Sequence, residues 1–270
     1  MVLASGARGG NGRRFVTDLG QLALLAAGIA WLVLHGAGAL GYNWQWYRVP
    51  QYIVRVVDGQ LIWGPLVRGL GVTLQISAWG LVLTLAIGLA TALLRTSRSI
   101  AGRVLASLYI QLIRNTPLLV QLYLFYFVLA PILGIGRFWT GILCLAVFEG
   151  SFAAEIFRAG IEAVPKGQWE ASDSLGLGRY TRLCRVILPQ AIQLMLPPLT
   201  GQAVSLIKDS SIVSVIAVFD LTNEGRNIIS DTFMSFEIWF TVAAMYLVLT
   251  VSLSIVASRL ERRVARHKRS

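Results

Sequence analysis

Long stretches without a charged side chain dominate this sequence. Five runs contain no Asp, Glu, Lys or Arg, namely 19–40, 69–94, 115–136, 187–207 and 238–258. About 20 such residues cross the hydrocarbon core of a bilayer as a helix. A sixth segment, from 138 to about 161, starts apolar and then carries Glu149, Glu155 and Arg158, and we predict that it spans too. The sequence therefore predicts an all-α, polytopic membrane bundle of about six transmembrane helices.

The positive charge is distributed unevenly between the two ends of these helices. Most of the 24 Lys and Arg residues fall before the first run, in 95–103, in 158–185 and after 258. Lys and Arg near span ends stay on the cytoplasmic side, so both termini are predicted to be inside. The net charge of +11 then reflects topology, and no basic domain outside the spans suggests a nucleic-acid partner.

Residues that carry catalysis or bind metal are sparse. The two cysteines, Cys144 and Cys184, are far apart, and the two histidines make no metal-ligand spacing with them. The sequence contains no GxxxxGK[ST] phosphate loop, GxSxG elbow or HExxH helix. We therefore expect no metal, no bound cofactor and no catalytic residue, and any ATP would be hydrolysed by another chain.

One polar, basic segment interrupts the apolar sequence at 168–189, QWEASDSLGLGRYTRLCRVILP. A short helix is predicted up to Leu175, and Gly176 should end it, because glycine readily takes the left-handed conformation past a helix end. Arg179, Arg182 and Arg185 then recur every three residues, which suits a helix at the cytoplasmic interface. The next span is predicted to begin at Pro189.

This segment resembles the EAA loop of permeases from ABC importers. The pattern of that loop is EAA, three residues, G, nine residues and IxLP, and its residues here are Glu170, Ala171, Ser172, Gly176, Val186, Leu188 and Pro189. Ser172 replaces the usual Ala, and Val186 replaces the usual Ile. GPLVRGLGVTLQIS, IRNTPLLVQLYLFYF, AAEIFRAGIEAVPKGQWEA and SLIKDSSIVSVI are similar to the amino-acid branch, the histidine and glutamine permease type.

The resemblance implies a domain organisation and a set of partners. Residues 1–62 would form a cytoplasmic tail, an extra first helix and an aromatic outer connector; 63–263 would form the five-helix permease core, with its coupling loop near 160–188; 264–270 would be a basic cytoplasmic tail. The partners implied are two copies of an ATPase, a second permease that is identical or different, an extracytoplasmic amino-acid-binding protein and the lipid bilayer. The implied location is the bacterial inner membrane.

In this family the loop carries a coupling helix that sits in a groove of the ATPase. The residues that the resemblance assigns to coupling are Gly167, Gln168, Glu170, Ala171, Ser172, Gly176, Leu188 and Pro189. Small side chains at 171 and 172 would allow close approach to the ATPase. Glu170 and Asp173 would offer charge to a basic partner.

Polar residues inside the spans suggest a substrate pathway, because charge is costly in hydrocarbon and usually faces a partner or a wet cavity. The candidates are Arg114, Asn115, Glu149, Ser151, Lys208, Asp209 and Ser210. Pro117 should break its helix, either to line the pathway or as an architectural bend. Glu149 could attract an ammonium group of the substrate or pair with Arg114 for packing. Asp209 could meet Arg114 across helices, and Glu155 and Arg158 should form a local ion pair.

These features favour a permease subunit of an ATP-driven importer for a polar or charged L-amino acid. A stand-alone channel or secondary transporter of small polar solutes is the alternative, but it would not need a docking loop for an ATPase. An integral-membrane enzyme would need a catalytic constellation near an interface, for which only Glu155, Glu162 and Glu170 are available. The sequence does not identify the amino acid.

Overall fold

The computed structural model describes residues 19–25, 27–28, 31, 41–97 and 99–266. Residues 19–25, 27–28 and 31 of the predicted first span are helical, and the rest of that span lies outside the described residues, as do residues 267–270 of the predicted tail. By its contacts the chain divides into two units, Met1–Gln45 and Trp46–Ser270. Residues 46–62 of the predicted aromatic connector thus belong to the second unit.

The second unit is almost entirely helical, and the helices referred to below are named here in chain order. They are α1 (Pro65–Arg95), α2 (Ile100–Arg114), α3 (Leu118–Leu124), α4 (Arg137–Glu162), α5 (Lys166–Ser174), α6 (Arg179–Arg182), α7 (Leu188–Asp209), α8 (Leu221–Thr232) and α9 (Ser235–Arg266). Single helical turns occur at Trp46–Arg48, Pro50–Ile53 and Ala130–Leu133, and a 3₁₀ segment, Ser210–Ile216, follows α7.

A β-hairpin precedes α1 and was not expected in an all-α chain. Its strands are β1 (Val54–Val57) and β2 (Gln60–Trp63), paired antiparallel with Val57 opposite Gln60. Asp58 and Gly59 form the two-residue loop, both with positive φ, of 53° and 74°. Asp-Gly between alternating apolar residues is a strong hairpin signal, because tight hairpin turns need positive φ at both positions.

Three of the described helices are long and apolar enough to cross a membrane: Pro65–Arg95, Arg137–Glu162 and Ser235–Arg259. They coincide with the predicted spans at 69–94, 138–161 and 238–258. The predicted span at 187–207 becomes α7, which has 22 residues but contains glutamines and internal prolines that lower its hydropathy. Length and composition thus support three or four of the six predicted spans in the described residues, and most of the first predicted span lies outside them.

The predicted break at Pro117 is confirmed. Helix α2 ends at Arg114 and α3 begins at Leu118, and the pair Ile100–Arg114 and Leu118–Leu133 is bent by 108°. The Gln121 amide closes this bend by donating to the carbonyl oxygens of Ile113, at 2.8 Å, and Thr116, at 3.1 Å. The carbonyls at the end of α2 therefore keep a hydrogen-bond donor although the helix stops there.

Two π-helical turns each come just before a proline. Phe125–Leu129 precedes Pro131, and Leu183–Ile187 precedes Pro189. Proline lacks a backbone N–H and clashes with the preceding turn, so the helix accommodates it by a wider turn with i→i+5 hydrogen bonds. Helix continuity is kept at both places.

Helix α1 packs along α4, and glycines allow the close approach. A Cβ on Gly88 would lie 2.7 Å from the Cβ of Ala153, and one on Gly150 would lie 2.9 Å from the Ile87 side chain. Backbone contact of this kind is typical of helix pairs in membranes, where packing replaces the hydrophobic effect.

Three buried apolar clusters stabilise the second unit. The first joins the connector to α1, α8 and α9 through Tyr52, Leu66, Leu221 and Ile238. The second lies between α1, α3, α4 and the 3₁₀ segment, around Ile76, Leu122, Leu145 and Val213. The third joins the end of α4 to α5 and α7, around Val164, Ile187, Ala191 and Met195. The third cluster supports the predicted coupling loop.

Candidate coupling helix and membrane-embedded polar site

The predicted coupling helix is α5, and its C-terminus has the geometry expected of Gly176. Leu175 is the last half-helical residue, and Gly176 has φ 67°. The Gly176 N–H donates to the Asp173 carbonyl at 2.9 Å, and the Leu177 N–H donates to the Ser172 carbonyl at 3.2 Å. These two bonds form a Schellman motif, which turns the chain sharply after the helix.

One face of α5 is held against the bundle. The Trp169 side chain packs on the third apolar cluster, and Ser172 is 2 % exposed. The Ser172 hydroxyl donates to the Trp169 carbonyl at 2.7 Å, so its hydrogen-bonding need is met inside the helix. The Gln190 amide at the start of α7 donates to the Gln168 side chain at 3.2 Å. The helix is therefore fixed to both α4 and α7.

The opposite face of α5 is open. Its exposed residues include Gly167, Glu170, Ala171, Ser174 and Leu175, and Leu175 is 77 % exposed. A Cβ on Gly167 would meet nothing within 4 Å. This face combines small residues, one carboxylate and one large apolar side chain, and is suited to docking another protein.

The chain after Gly176 differs from the prediction in one respect. Arg179–Arg182 is helical, but it is not a separate interfacial helix that ends before Pro189. The π turn Leu183–Ile187 joins it directly to α7. Leu188 and Pro189, two of the predicted coupling residues, are the first two residues of α7. They lie at the base of the loop, away from the exposed face of α5.

A network of ion pairs joins the ends of α1 and α4. The predicted pair of Glu155 and Arg158 is confirmed, with 2.8 Å between Oε2 and Nη2. Arg158 also contacts Glu162 at 2.5 Å, and Arg95 at the end of α1 pairs with Glu155. Each pair alone contributes little, because the side chains are partly exposed. Together they couple α1 to the helix that leads into α5.

Glu149 lies near the middle of α4 and is 1 % exposed. The Gln202 amide on α7 donates to its Oε2 atom, while its Oε1 atom is buried without a donor from the described residues. The Asp209 carboxyl, at the end of α7, is within interaction distance of Glu149. Two neighbouring carboxylates in a largely buried site suit a cationic group that contacts both of them. This polar site joins two of the predicted pathway residues.

The suggested pairing of Arg114 with Glu149 or Asp209 is wrong in this structure. The Arg114 guanidinium lies over the Phe152 ring at 4.9 Å, and no ion pair connects it to a carboxylate of the described residues. The stacking is favourable because the ring face is electronegative. Asn115 is exposed and bonds back to the Gln111 carbonyl at 2.7 Å. Arg114 and Asn115 thus stay at the bend between α2 and α3.

The remaining predicted pathway residues contribute less. The Ser151 hydroxyl donates to the Phe148 carbonyl, and the Ser210 hydroxyl donates to the Ile207 carbonyl, both at 2.7 Å. Each hydroxyl proton is therefore bonded to the backbone three residues earlier. Lys208 is exposed, although its neighbour Asp209 is partly buried. Glu149 and Asp209 are the two candidates that the fold brings together.

Two residues that matter to these sites were not singled out in the sequence. Gln202 completes the polar site, and Gly160 allows α4 to approach α7 beneath α5, since a Cβ there would lie 2.2 Å from Cγ of Met195. The sequence gives only a weak signal for either residue: Gln202 is a polar residue in a predicted span, and Gly160 is a small residue in a helix. Their partners are distant in the sequence and could not be inferred from it.

Comparison with known proteins agrees with this architecture. The family profile described as "Binding-protein-dependent transport system inner membrane component" matches residues 83–266, more than half of the chain. The glutamine transport system permease protein GlnP of Escherichia coli (strain K12) is 39% identical over 213 residues, covering 77% of this chain and 97% of GlnP. The probable glutamine ABC transporter permease protein GlnM of Bacillus subtilis (strain 168) is 38% identical, covering 71% and 89%.

A solved structure shows the same fold. The crystal structure of an amino acid ABC transporter with histidines has a chain that is 40% identical, with a TM-score of 0.70, covering 74% of this chain and 94% of that one. The extent of these matches and the multi-pass helical bundle lead to one assignment. This chain belongs to the family of inner membrane components of binding-protein-dependent transport systems, the permease subunits of ABC importers.

Proposed function

We propose that this chain is the permease subunit of an importer for a polar or charged L-amino acid in a bacterial inner membrane. The observation that carries the proposal is α5, a short helix with one face fixed to the bundle and the other exposed. It would dock a cytoplasmic ATPase, two copies of which would serve a pair of permeases. The relatives named for glutamine transport and the transporter solved with histidines support the substrate class.

The force from the ATPase would reach the membrane through a short path. Movement of α5 would be transmitted to α4 and α7, because Trp169 and Ile187 belong to the same apolar cluster. Helices α4 and α7 also carry Glu149 and Asp209. The same two helices therefore connect the docking face to the polar site.

Glu149, Asp209 and Gln202 are the residues that we propose for the substrate pathway. Carboxylates here would attract the ammonium group that every amino acid carries, and the cost of burying them is about 2.5 to 3.5 kcal/mol each on insertion scales. A substrate delivered by an extracytoplasmic binding protein would pass this site between the outward-open and inward-open states. The chain itself would bind no ATP and no metal.

Reconstitution tests the proposal. The chain is placed in proteoliposomes with an ATPase subunit and a binding protein encoded beside it, and uptake of radiolabelled amino acids is measured with and without ATP. We expect uptake only when all components and ATP are present. ATP-independent uptake by the chain alone would favour a channel or secondary transporter. The exposed face of α5 does not support that alternative, because neither kind of protein needs to dock an ATPase.

A further inference from the structure

A cavity lies between the coupling loop and the end of α1, and none of its lining residues belongs to the polar site of α4 and α7. It has a volume of about 740 Å³ and lies between the end of α1 and the segment from Ile161 to Leu183. The side chains of Leu93, Ile161, Val164, Trp169 and Leu183 make its wall largely apolar. The proposed transport cycle uses the packing of Trp169 and Val164 but assigns no role to the cavity itself.

The rim of the cavity is basic. Lys166, Arg179 and Arg182 all line it, and its one acidic residue, Glu162, is paired with Arg158 at 2.5 Å. Arg182 is partly neutralised by Asp173 and lies with its guanidinium carbon 5.7 Å from the centre of the Trp169 ring. Lys166 and Arg179 are exposed. The cavity therefore presents an excess of positive charge.

Two buried polar atoms of lining residues have no hydrogen-bond partner in the part of the chain that the structure describes. They are the Ser97 hydroxyl oxygen and Nε of Arg182. Buried polar groups in proteins are nearly always hydrogen-bonded, so each such exception needs an explanation. Both atoms can donate a hydrogen bond, and because solvent reaches neither of them, each side chain has to turn toward the cavity to present its donor to an acceptor there.

The position of the cavity selects the kind of acceptor. Helix α1 has 31 residues, which at 1.5 Å per residue is longer than the hydrocarbon core of about 30 Å. Its last residues, next to the cavity, would thus reach the head-group layer. A free anion needs no apolar wall, whereas a lipid presents an anionic head and apolar chains together. Basic pockets between membrane helices on the cytoplasmic side suit anionic lipid head groups.

We propose that this cavity binds one anionic phospholipid of the cytoplasmic leaflet. Its phosphate would accept hydrogen bonds from Ser97 and Arg182 and face Lys166 and Arg179, while its acyl chains would lie against Leu93 and Ile161. The lipid would bridge the end of α1 and the base of α5. Any effect of this lipid on coupling to the ATPase rests on the proposed function, whereas binding of the lipid does not.

Binding is measured on the purified full-length chain alone, by native mass spectrometry from detergent. Phosphatidylglycerol and phosphatidylcholine with the same acyl chains are titrated separately, and inorganic phosphate is added as a competitor. We expect one tightly retained phosphatidylglycerol per chain and no comparable retention of phosphatidylcholine. Millimolar phosphate should not displace the lipid.

Variants locate the site. The double variant Lys166→Gln and Arg179→Gln should weaken binding of phosphatidylglycerol about tenfold or more, since each basic group near the surface contributes to the attraction. Arg185→Gln is the matched control, because Arg185 is an exposed arginine of the same segment that does not line the cavity. Ser97→Ala removes an unpartnered hydroxyl without breaking a bond of the fold and should weaken binding about fivefold.

Three results would overturn the proposal. Equal retention of phosphatidylcholine would mean that the charge of the lipid is not recognised. An equal loss of binding in Arg185→Gln would mean that diffuse surface charge attracts the lipid. Displacement by inorganic phosphate would mean that the cavity binds a soluble anion. Transport failure of the chain would leave these binding results unchanged, so the two proposals can fail separately.

Discussion

Single residues decide whether α5 can act as a rigid docking element, and Gly176 is the clearest case. Its φ of 67° lies in the left-handed region, which costs an L-residue about 1–2 kcal/mol. Gly178, two residues later, has an ordinary φ of −58° and open space around it. The two glycines therefore differ in backbone conformation but not in crowding.

We expect Gly176→Val to lower ATP-dependent uptake about tenfold, because the Schellman turn that aims α5 is lost. Gly178→Val is the matched control and should retain uptake. Ser172→Ala should also retain it, since the Ser172 hydroxyl bonds only to its own helix. The measurement is initial uptake in proteoliposomes together with ATP hydrolysis. Normal uptake by Gly176→Val would contradict the role given to this turn.

Glu149 is the second case at the scale of single residues, because its carboxyl group interacts with both Gln202 and Asp209 in the polar site. Glu149→Gln keeps the shape and the bond to Gln202 but removes the charge. We expect the KM for uptake to rise about tenfold, with a changed preference among amino acids, since one charge pair is lost. Glu237→Gln is the control, another carboxyl with an exposure of 0 %, located at the start of α9. An unchanged substrate profile with normal assembly would remove Glu149 from the specificity of the transporter.

At the scale of elements, the contact between α4 and α7 transmits movement from the docking helix. Gly160 and Met195 set that contact, since a Cβ on Gly160 would lie 2.2 Å from Cγ of Met195. Gly160→Ala should lower the melting temperature of the purified chain, with a cost of about 1–3 kcal/mol for overpacking. Met195→Ala in the same chain should restore part of the loss.

A glycine in open space provides the comparison for this experiment. Gly71 in α1 has no atom within 4 Å of an added Cβ, so Gly71→Ala should be neutral or slightly stabilising. Thermal unfolding in detergent measures all four proteins. If Met195→Ala failed to improve the stability of Gly160→Ala, the close approach of α4 and α7 would not explain the loss.

What the sequence predicted about these elements depended on how local the interaction was. The end of α5 at Gly176, the pair of Glu155 and Arg158 and the break at Pro117 all follow from neighbours in the chain. The approach of Glu149 to Asp209 and of Arg95 to Glu155 joins residues about 60 apart, and one sequence carries no signal for such pairing. The hairpin also has a local signal, Asp58-Gly59 between alternating apolar residues, which the prediction of an aromatic outer connector does not include.

At the scale of the whole molecule, cysteine labelling measures the predicted orientation. The hairpin turn at Asp58 is predicted to lie outside and Ser174, on the exposed face of α5, inside. We expect Asp58→Cys to react with a membrane-impermeant maleimide in intact cells and Ser174→Cys to react only after lysis. Both are placed in a Cys184→Ser background, since Cys184 is partly accessible and Cys144 is buried. The reverse labelling pattern would invert the topology.

The unequal burial of the three apolar spans has a consequence for how the protein is made. The most apolar 18 consecutive residues of Ser235–Arg259 have a mean hydropathy of 2.1, and 6% of them are buried. In Arg137–Glu162 the corresponding mean hydropathy is 1.5, and 61% of the residues are buried. The last span can leave the translocon for lipid unaided. Helix α4, with Glu149 at its centre, inserts less readily, and α1, synthesised earlier and packed along it, is already present to receive it. The order of the helices in the chain thus allows the least apolar of these three spans to enter the membrane as the partner of one already inserted.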